Sequence, residues 1–240
     1  MNSAQVVAEM AQLNIFKDEE ILKYCAERKI SHRTILEWGI GAFPEDPNQL
    51  YQLYQKIHKN KDSWEFIRYL NGAFESGFLR NRLIIPIKDS YGEIIALIGR
   101  TTFTEKIIKK HDIPKYYNSQ YPKTKMLFGL YEALPHIIKT DSVFVCEGNM
   151  DVITSASKNL KNVVAASSAN LSYSQFMLLS RYASNIIVAF DSDEAGEDGK
   201  QRALKKYSEL SKKIGCTISS IDISGGKDLD EMFNKGEIKW

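Results

Sequence analysis

The sequence predicts an α/β protein: a parallel sheet flanked by helices, preceded by a mixed α+β region. Residues 143–146, 163–166, 186–190 and 216–223 are short runs rich in β-formers, with helix-like stretches between them. That alternation is the β-α-β-α-β-α-β pattern of a parallel sheet. Two of the runs lead directly into acids and a glycine, Glu147-Gly148-Asn149-Met150-Asp151 and Asp191-Ser192-Asp193-Glu194-Ala195-Gly196, as buried strands feeding βα turns do. Upstream, residues 82–89, the turn Ser90-Tyr91-Gly92-Glu93 and residues 94–100 read as an antiparallel hairpin.

Bulk properties leave room for that architecture. With 240 residues, 43% hydrophobic and 26% charged, the chain can build one large core or two modest ones. The expected division is a helical and α+β part over 1–138 and an α/β part over 139–240. The net charge of +2 points to no particular partner. Cys25, Cys146 and Cys216 are far apart and form no C-x-x-C pair. Neither a zinc ribbon nor a disulfide framework is expected, and a reducing, cytoplasmic setting fits. No signal-like opening and no membrane-length apolar run is present, so no membrane partner is expected.

Taken in order, residues 1 to about 40 read as helical. Asp18-Glu19-Glu20 suits a first helical turn, and Ser31 is placed to cap a helix carrying Ile35, Leu36 and Trp38 that stops near Gly39. Pro44 and Pro47 mark a loop, after which Leu50, Leu53, Tyr54 and Ile57 resume helical spacing. The hairpin follows, with Pro86 placing its first strand at an edge or bulge. Residues 80–125 hold ten lysines and arginines against four acids, interleaved with Tyr116, Tyr117 and Tyr121. Such a mixture tracks a nucleic-acid backbone and stacks on bases, although a solvated basic face has the same composition. A short helix over 127–134 leads into the first acidic strand. Ser167-Ser168-Ala169-Asn170 forms a polar turn, Ser172 caps the next helix, and the last strand ends in Gly225-Gly226-Lys227-Asp228-Leu229-Asp230.

Three strand ends therefore contribute carboxylates: Glu147 with Asp151, Asp191 with Asp193, and Asp228 with Asp230. Residues two apart in an extended turn face one side, so each D-x-D pair can present both acids to a common pocket. Oxygen-only ligands select Mg²⁺ or Mn²⁺ over zinc. Two such ions about 4 Å apart stabilise both the attacking and leaving oxygens of a phosphoryl displacement. Glu147 can serve as a ligand or move a proton, while Asp151 can orient its turn. No G-x-x-x-x-G-K-[ST] loop and no G-x-G-x-x-G after a strand occurs, and the four histidines are scattered. P-loop ATPases, dinucleotide enzymes and His-based centres are thereby excluded.

These residues together resemble the catalytic core of DnaG-type bacterial and phage primases. Glu147-Gly148-Asn149-Met150-Asp151 is similar to the E-G-x-x-D motif of their Toprim domain, and the segment from Asp191 to Gly196 is similar to its D-x-D-x-A-G. Gly226-Lys227-Asp228-Leu229-Asp230 resembles the third acidic element, with Leu229 replacing a proline. Upstream, residues 80–89 are similar to R-x-R-[VI]-x-F-P-I-x-D, Gly99-Arg100 to G-G-R, Pro114-Lys115-Tyr116-Tyr117-Asn118-Ser119 to P-K-Y-x-N-S, and residues 128–133 to Y-G-L-Y-E-A. The segment between Ser119 and Phe128 is shorter than usual, and Ser168-Ala169-Asn170 stands where a G-T pair is common.

The resemblance implies a Toprim sheet over 139–240 and template-directed synthesis of RNA primers on single-stranded DNA from NTPs. Asp191, Asp193, Asp228 and Asp230 would hold divalent ions, with Glu147 as ligand or proton acceptor and Asp151, Gly148 and Gly196 in support. Arg100, Lys115, Tyr116 and Asn118, with Lys123 and Lys125, would contact template or triphosphate, and Arg82 would guide the strand or support the sheet. A nascent RNA primer and a replicative helicase are the further partners implied. The family's zinc and helicase-binding modules are not found in this sequence, which reads as an isolated core or a reduced, phage-encoded primase. A Toprim nuclease would use the same acids but leave the upstream motifs without a purpose. A topoisomerase would need a gate domain for which there is no room, and a single-strand binder would not need the acids.

Overall fold

In the computed structural model, residues 3–43 and 82–221 are described, with the isolated positions 46, 48, 52 and 223. Pro44 and Pro47 of the expected loop, Leu50, Leu53, Tyr54 and Ile57 of the expected helix, and Asp228 and Asp230 lie outside the described residues. The chain divides into two compact units, Met1–Tyr121 and Pro122–Trp240.

The first unit opens with helices α1 (Ser3–Asn14), α2 (Glu19–Glu27) and α3 (His32–Trp38). Local chemistry sets their ends. The Asp18 carboxylate accepts the Ile21 amide to begin α2, and Ser31 Oγ accepts the Thr34 amide to begin α3. Gly39, at φ +68°, supplies the left-handed residue that ends α3. Four antiparallel strands follow in the order β1-β2-β3-β4: β1 (Gly41–Ala42), β2 (Arg82–Lys88), β3 (Ile94–Thr101) and, after helix α4 (Glu105–His111), β4 (Tyr116–Asn118). Helix α1 lies against β1, β2 and β3. A Cβ at Gly41 would run into the Ala11 backbone, so that approach needs glycine.

Pro86 sits on β2, which is an inner strand of this sheet. It is tolerated because, among the described residues, β1 pairs only with Leu83 and Ile84, while a register shift follows at Ile87/Lys88. The missing N–H is therefore not demanded by a ladder at that point.

The second unit is a parallel sheet in the order β6-β5-β7-β8. Its elements run α5 (Leu130–Thr140), β5 (Ser142–Cys146), α6 (Asn149–Ser157), β6 (Val163–Ala165), α7 (Tyr173–Leu179), β7 (Asn185–Val188), α8 (Glu194–Ile214) and β8 (Thr217–Ser220). Helix α5 is longer than its expected span and belongs to this unit's core, where Leu130, Ala133 and Ile137 are buried with Val143, Val145 and Val164. Phe176 stacks on Tyr207 with ring centroids 4.3 Å apart, and the Tyr207 hydroxyl donates to Leu171 O at 2.8 Å. Strand order turns at β5, whose neighbours β6 and β7 lie on opposite sides. Crevices for ligands form at the carboxyl ends of strands around such a reversal. Among the described residues, no helix is long and apolar enough to cross a membrane.

Candidate active site and nucleic-acid interface

Glu147 follows β5 and Asp191 lies beyond the end of β7, the two strands being hydrogen-bonded neighbours. Glu147 Oε1 accepts the Asp191 amide at 3.1 Å, which ties the two acidic turns together. Glu147 and Asp191 are both half-buried. Burial raises the Glu147 carboxyl above its ordinary value, and the charges of Asp191 and Asp193 add to the rise. The Asp191 amide and Lys200 oppose it.

Asp193 begins α8: its Oδ1 accepts the Gly196 amide at 2.9 Å. The carboxylate is thus directed by a helix start, where the helix dipole also favours a negative charge. Gly196 leaves the space this packing requires. A Cβ there would overlap the Asp191 carbonyl oxygen and come within 2.8 Å of Glu147 Oε1. Gly148 does the same for Asp151, whose carboxylate occupies the volume that a Cβ would take. Close on this cluster, Lys200 is 3% exposed and ion-paired with Glu197.

The donor chemistry fits a hard divalent cation. The gathered acids are oxygen donors, and the burial-raised Glu147 carboxyl would be relieved by a nearby positive ion. Among the described residues, however, no three His, Cys, Asp or Glu groups are close enough to hold an ion by themselves.

The upstream cations are built differently. Arg82, 5% exposed, donates through Nη1 to Gly99 O at 3.3 Å and Lys115 O at 3.4 Å, and its guanidinium lies 4.7 Å from the Tyr117 ring centroid. Burial pulls its ionisation below the ordinary value, and Tyr117 opposes that. These bonds join the base of β3 and β4, so Arg82 organises the sheet. Arg100, 4% exposed, donates from Nε to Tyr116 Oη at 2.9 Å and lies 5.0 Å from the Tyr24 ring and 5.3 Å from the Tyr116 ring. Tyr116 thus has a definite task in holding Arg100. Asn118 ends the same strand, and Lys115 precedes it, exposed and paired with Glu105 at 2.8 Å.

Lys123 and Lys125 lie on a 3-10 turn in the second unit. Gln175, 1% exposed, donates from Nε2 to Lys123 O at 3.1 Å and to Met126 O at 2.7 Å, while Ser172 Oγ donates to Thr124 O. Sequence reasoning identified Ser172 as a cap but passed over Gln175. The S-x-x-Q spacing of a capping box was visible, and the structure contains that box. Tyr24 and Lys200 were also missed as neighbours of the charged groups, because no local pattern connects them to Arg100 or Glu147.

Residues 10–134 match the family model described as DNA primase catalytic core, N-terminal domain, and residues 144–233 match a Toprim-like family. The DNA primase of Staphylococcus aureus (strain COL) is 32% identical over 234 residues, covering 90% of this chain and 36% of that protein. The chain thus spans about a third of the length of that curated relative. The solved DnaG catalytic core gives a TM-score of 0.75 at 25% identity, over 98% of this chain and 76% of the other. A DnaG catalytic domain bound to single-stranded DNA gives 0.74 at 25% identity, over 97% and 75%. The parallel four-stranded sheet with its flanking helices, preceded by the antiparallel sheet, is the fold of that core. The first family model alone spans more than half of the sequence, and the chain belongs to the DnaG-type primase family, with a Toprim domain in its second half.

Proposed function

We propose that this chain is the catalytic core of a primase, making short RNA primers on single-stranded DNA from NTPs. The observation that carries the reading is the junction of Glu147 and Asp191 across adjacent parallel strands, in a chain whose other half belongs to the primase core family. The solved relative bound to single-stranded DNA supports the template.

In this reading a primer 3′-hydroxyl attacks the α-phosphorus of an incoming NTP, and pyrophosphate leaves. Glu147, Asp191 and Asp193, with Asp228 and Asp230, would hold Mg²⁺ or Mn²⁺. When bound, such ions neutralise charge on the attacking and leaving oxygens. Asp191 is tied through its amide to Glu147 and Asp193 caps α8, so the turns that carry both acids are positioned before charge arrives. Glu147, with its raised carboxyl, is placed as a ligand or as an acceptor of the hydroxyl proton. Arg100, Lys115, Tyr116 and Asn118, with Lys123 and Lys125, would contact template or triphosphate. Within 1–138 lies the template surface and within 139–240 the catalytic acids. A replicative helicase is the expected partner, in the cytoplasm of a bacterial cell or of a phage's host.

The test is primer synthesis on single-stranded DNA with labelled NTPs and Mg²⁺ or Mn²⁺, beside Asp191→Ala. Template-dependent oligoribonucleotides that disappear in the variant support the reading. Shortened DNA without incorporation would overturn it in favour of a nuclease.

A further inference from the structure

Between β3 and β4 the chain leaves the sheet and returns, and its base is closed by the Thr101 amide donating to Lys115 O at 3.1 Å. The excursion carries α4, a helix with no buried residue. Its side of the unit forms a half-open cavity of about 180 Å³ whose lining includes Tyr24, Glu27, Arg28, Arg100, Glu105 and Lys115. The cavity is equipped for a polar, anionic group. Arg28, Arg100 and Lys115 face it, and the buried Tyr24 hydroxyl has no hydrogen-bond partner among the described residues. Two acids share that ground, Glu27 and Glu105, and Glu105 Oε1 accepts from Lys115 Nζ at 2.8 Å. Its carboxyl is held below the ordinary range by the Lys115 hydrogen bond and charge, with Lys109 and Arg100 adding to the effect.

We propose that Glu105 is a built-in competitor for Lys115, occupying the position of a substrate phosphate, so that phosphate binding at this cavity requires the carboxylate to be displaced. The inference rests on the reading that Lys115 contacts the phosphates of template or triphosphate. Displacement is structurally cheap, because α4 buries no side chain and an exposed ion pair is weak. The competition has a signature in salt dependence. A lysine that is free of a protein partner releases bound counterions when it meets a nucleic-acid phosphate, whereas one already neutralised by Glu105 releases fewer. Glu105 therefore sets both how tightly the site binds phosphate and how steeply salt weakens it.

The experiment measures binding of a fluorescent oligothymidylate, and separately of ATP, to the full chain over a range of salt. Four variants are compared: Glu105→Gln, Lys115→Ala, both together, and Glu93→Gln as a charge control in the turn that precedes β3. Glu105→Gln is expected to tighten binding roughly two- to fivefold at low salt, and the single-strand salt slope should steepen by about 0.7. Lys115→Ala should weaken binding, and the double variant should behave like Lys115→Ala. Tightening with DNA alone or with ATP alone identifies which phosphate uses the site. If Lys115→Ala weakens binding while Glu105→Gln leaves affinity and slope unchanged for both ligands, the competitor role falls and the reading of Lys115 stands. If Lys115→Ala changes nothing, that reading falls and the competitor role with it. Equal tightening by Glu93→Gln would also overturn the proposal, since net charge alone would then be acting.

Discussion

Arg82 and Arg100 are almost fully buried in the antiparallel sheet, whereas Glu147 and Asp191 at the ends of the parallel strands are only half-buried. Each arginine is matched in its own unit, by tyrosine faces, main-chain carbonyls or a phenol. Glu147 has the Asp191 amide and the favourable charge of Lys200, set against burial and the charges of Asp191 and Asp193. The ions themselves explain the contrast. A guanidinium is planar, weakly hydrated and permanently charged, so π faces and carbonyl oxygens can replace its water. A carboxylate among carboxylates that one amide does not satisfy lowers its energy further by taking up a proton or meeting a cation. The two buried arginines are therefore matched within the free protein, whereas the acidic centre carries more negative charge than its own neighbours offset.

The largest effect that would break this contrast concerns Asp191. Asp191→Ala should reduce primer synthesis at least about 100-fold. Thermal melting in EDTA should be unchanged or higher, because a repulsive charge has gone. A clear loss of stability would show that Asp191 supports the fold, and the contrast with the arginines would fail. Arg100→Ala should instead lower stability. It removes a part-buried hydrogen bond and two cation–π contacts, and should cost about 2–4 kcal/mol in urea unfolding of the full chain. A loss under roughly 0.5 kcal/mol would mean that the tyrosine faces contribute little.

Much of this was legible in advance wherever the signal is local. The Ser31 cap and the Gly39 stop follow from the residues at each helix end. The four parallel strands follow from apolar runs, and Glu147 and Asp191 from their position after two of them. What could not be read depends on how distant segments pack. Nothing around Tyr24 on α2 announces that its ring will lie beside Arg100 on β3. Pro86 suggested an edge, but its tolerance rests on the short reach of β1, a property of another strand. Asp193 looked like a second ligand in a D-x-D pair, and its use as the cap of α8 appears only once the helix start is located.

An intermediate effect tests whether the second unit's basic turn is held as firmly as the arginines. Gln175→Ala removes donors to Lys123 O, Met126 O and Ala166 O. One buried and two part-buried carbonyls would lose a partner, at about 1–3 kcal/mol. Hydrogen exchange should rise around residues 123–127, and single-strand affinity should fall less than in a Lys123→Ala/Lys125→Ala variant. Unchanged exchange would mean that the turn is held without Gln175.

The smallest effect sharpens the contrast through pH. The folded Glu147 carboxyl titrates above its unfolded value, chiefly because of burial and then because of Asp191. At pH below the unfolded value, both states carry the proton and the residue costs nothing. As pH rises from the unfolded value through the folded one, the unfolded chain gives up its proton more readily and gains in relative free energy. Stability therefore falls across that window and levels off above it. Because Glu147 is only half-buried, the fall is modest. It should appear in the difference between melting curves of the wild type and Glu147→Gln in EDTA, recorded from pH 4 to pH 8. Excess Mg²⁺ should flatten the difference, since a cation favours the ionised carboxylate in the folded state. A difference that rises with pH in EDTA would mean that Glu147 is stabilised in its charged form by its own protein neighbours. The acidic centre would then be as complete as the arginine sites, and its need for an outside cation would have to be abandoned.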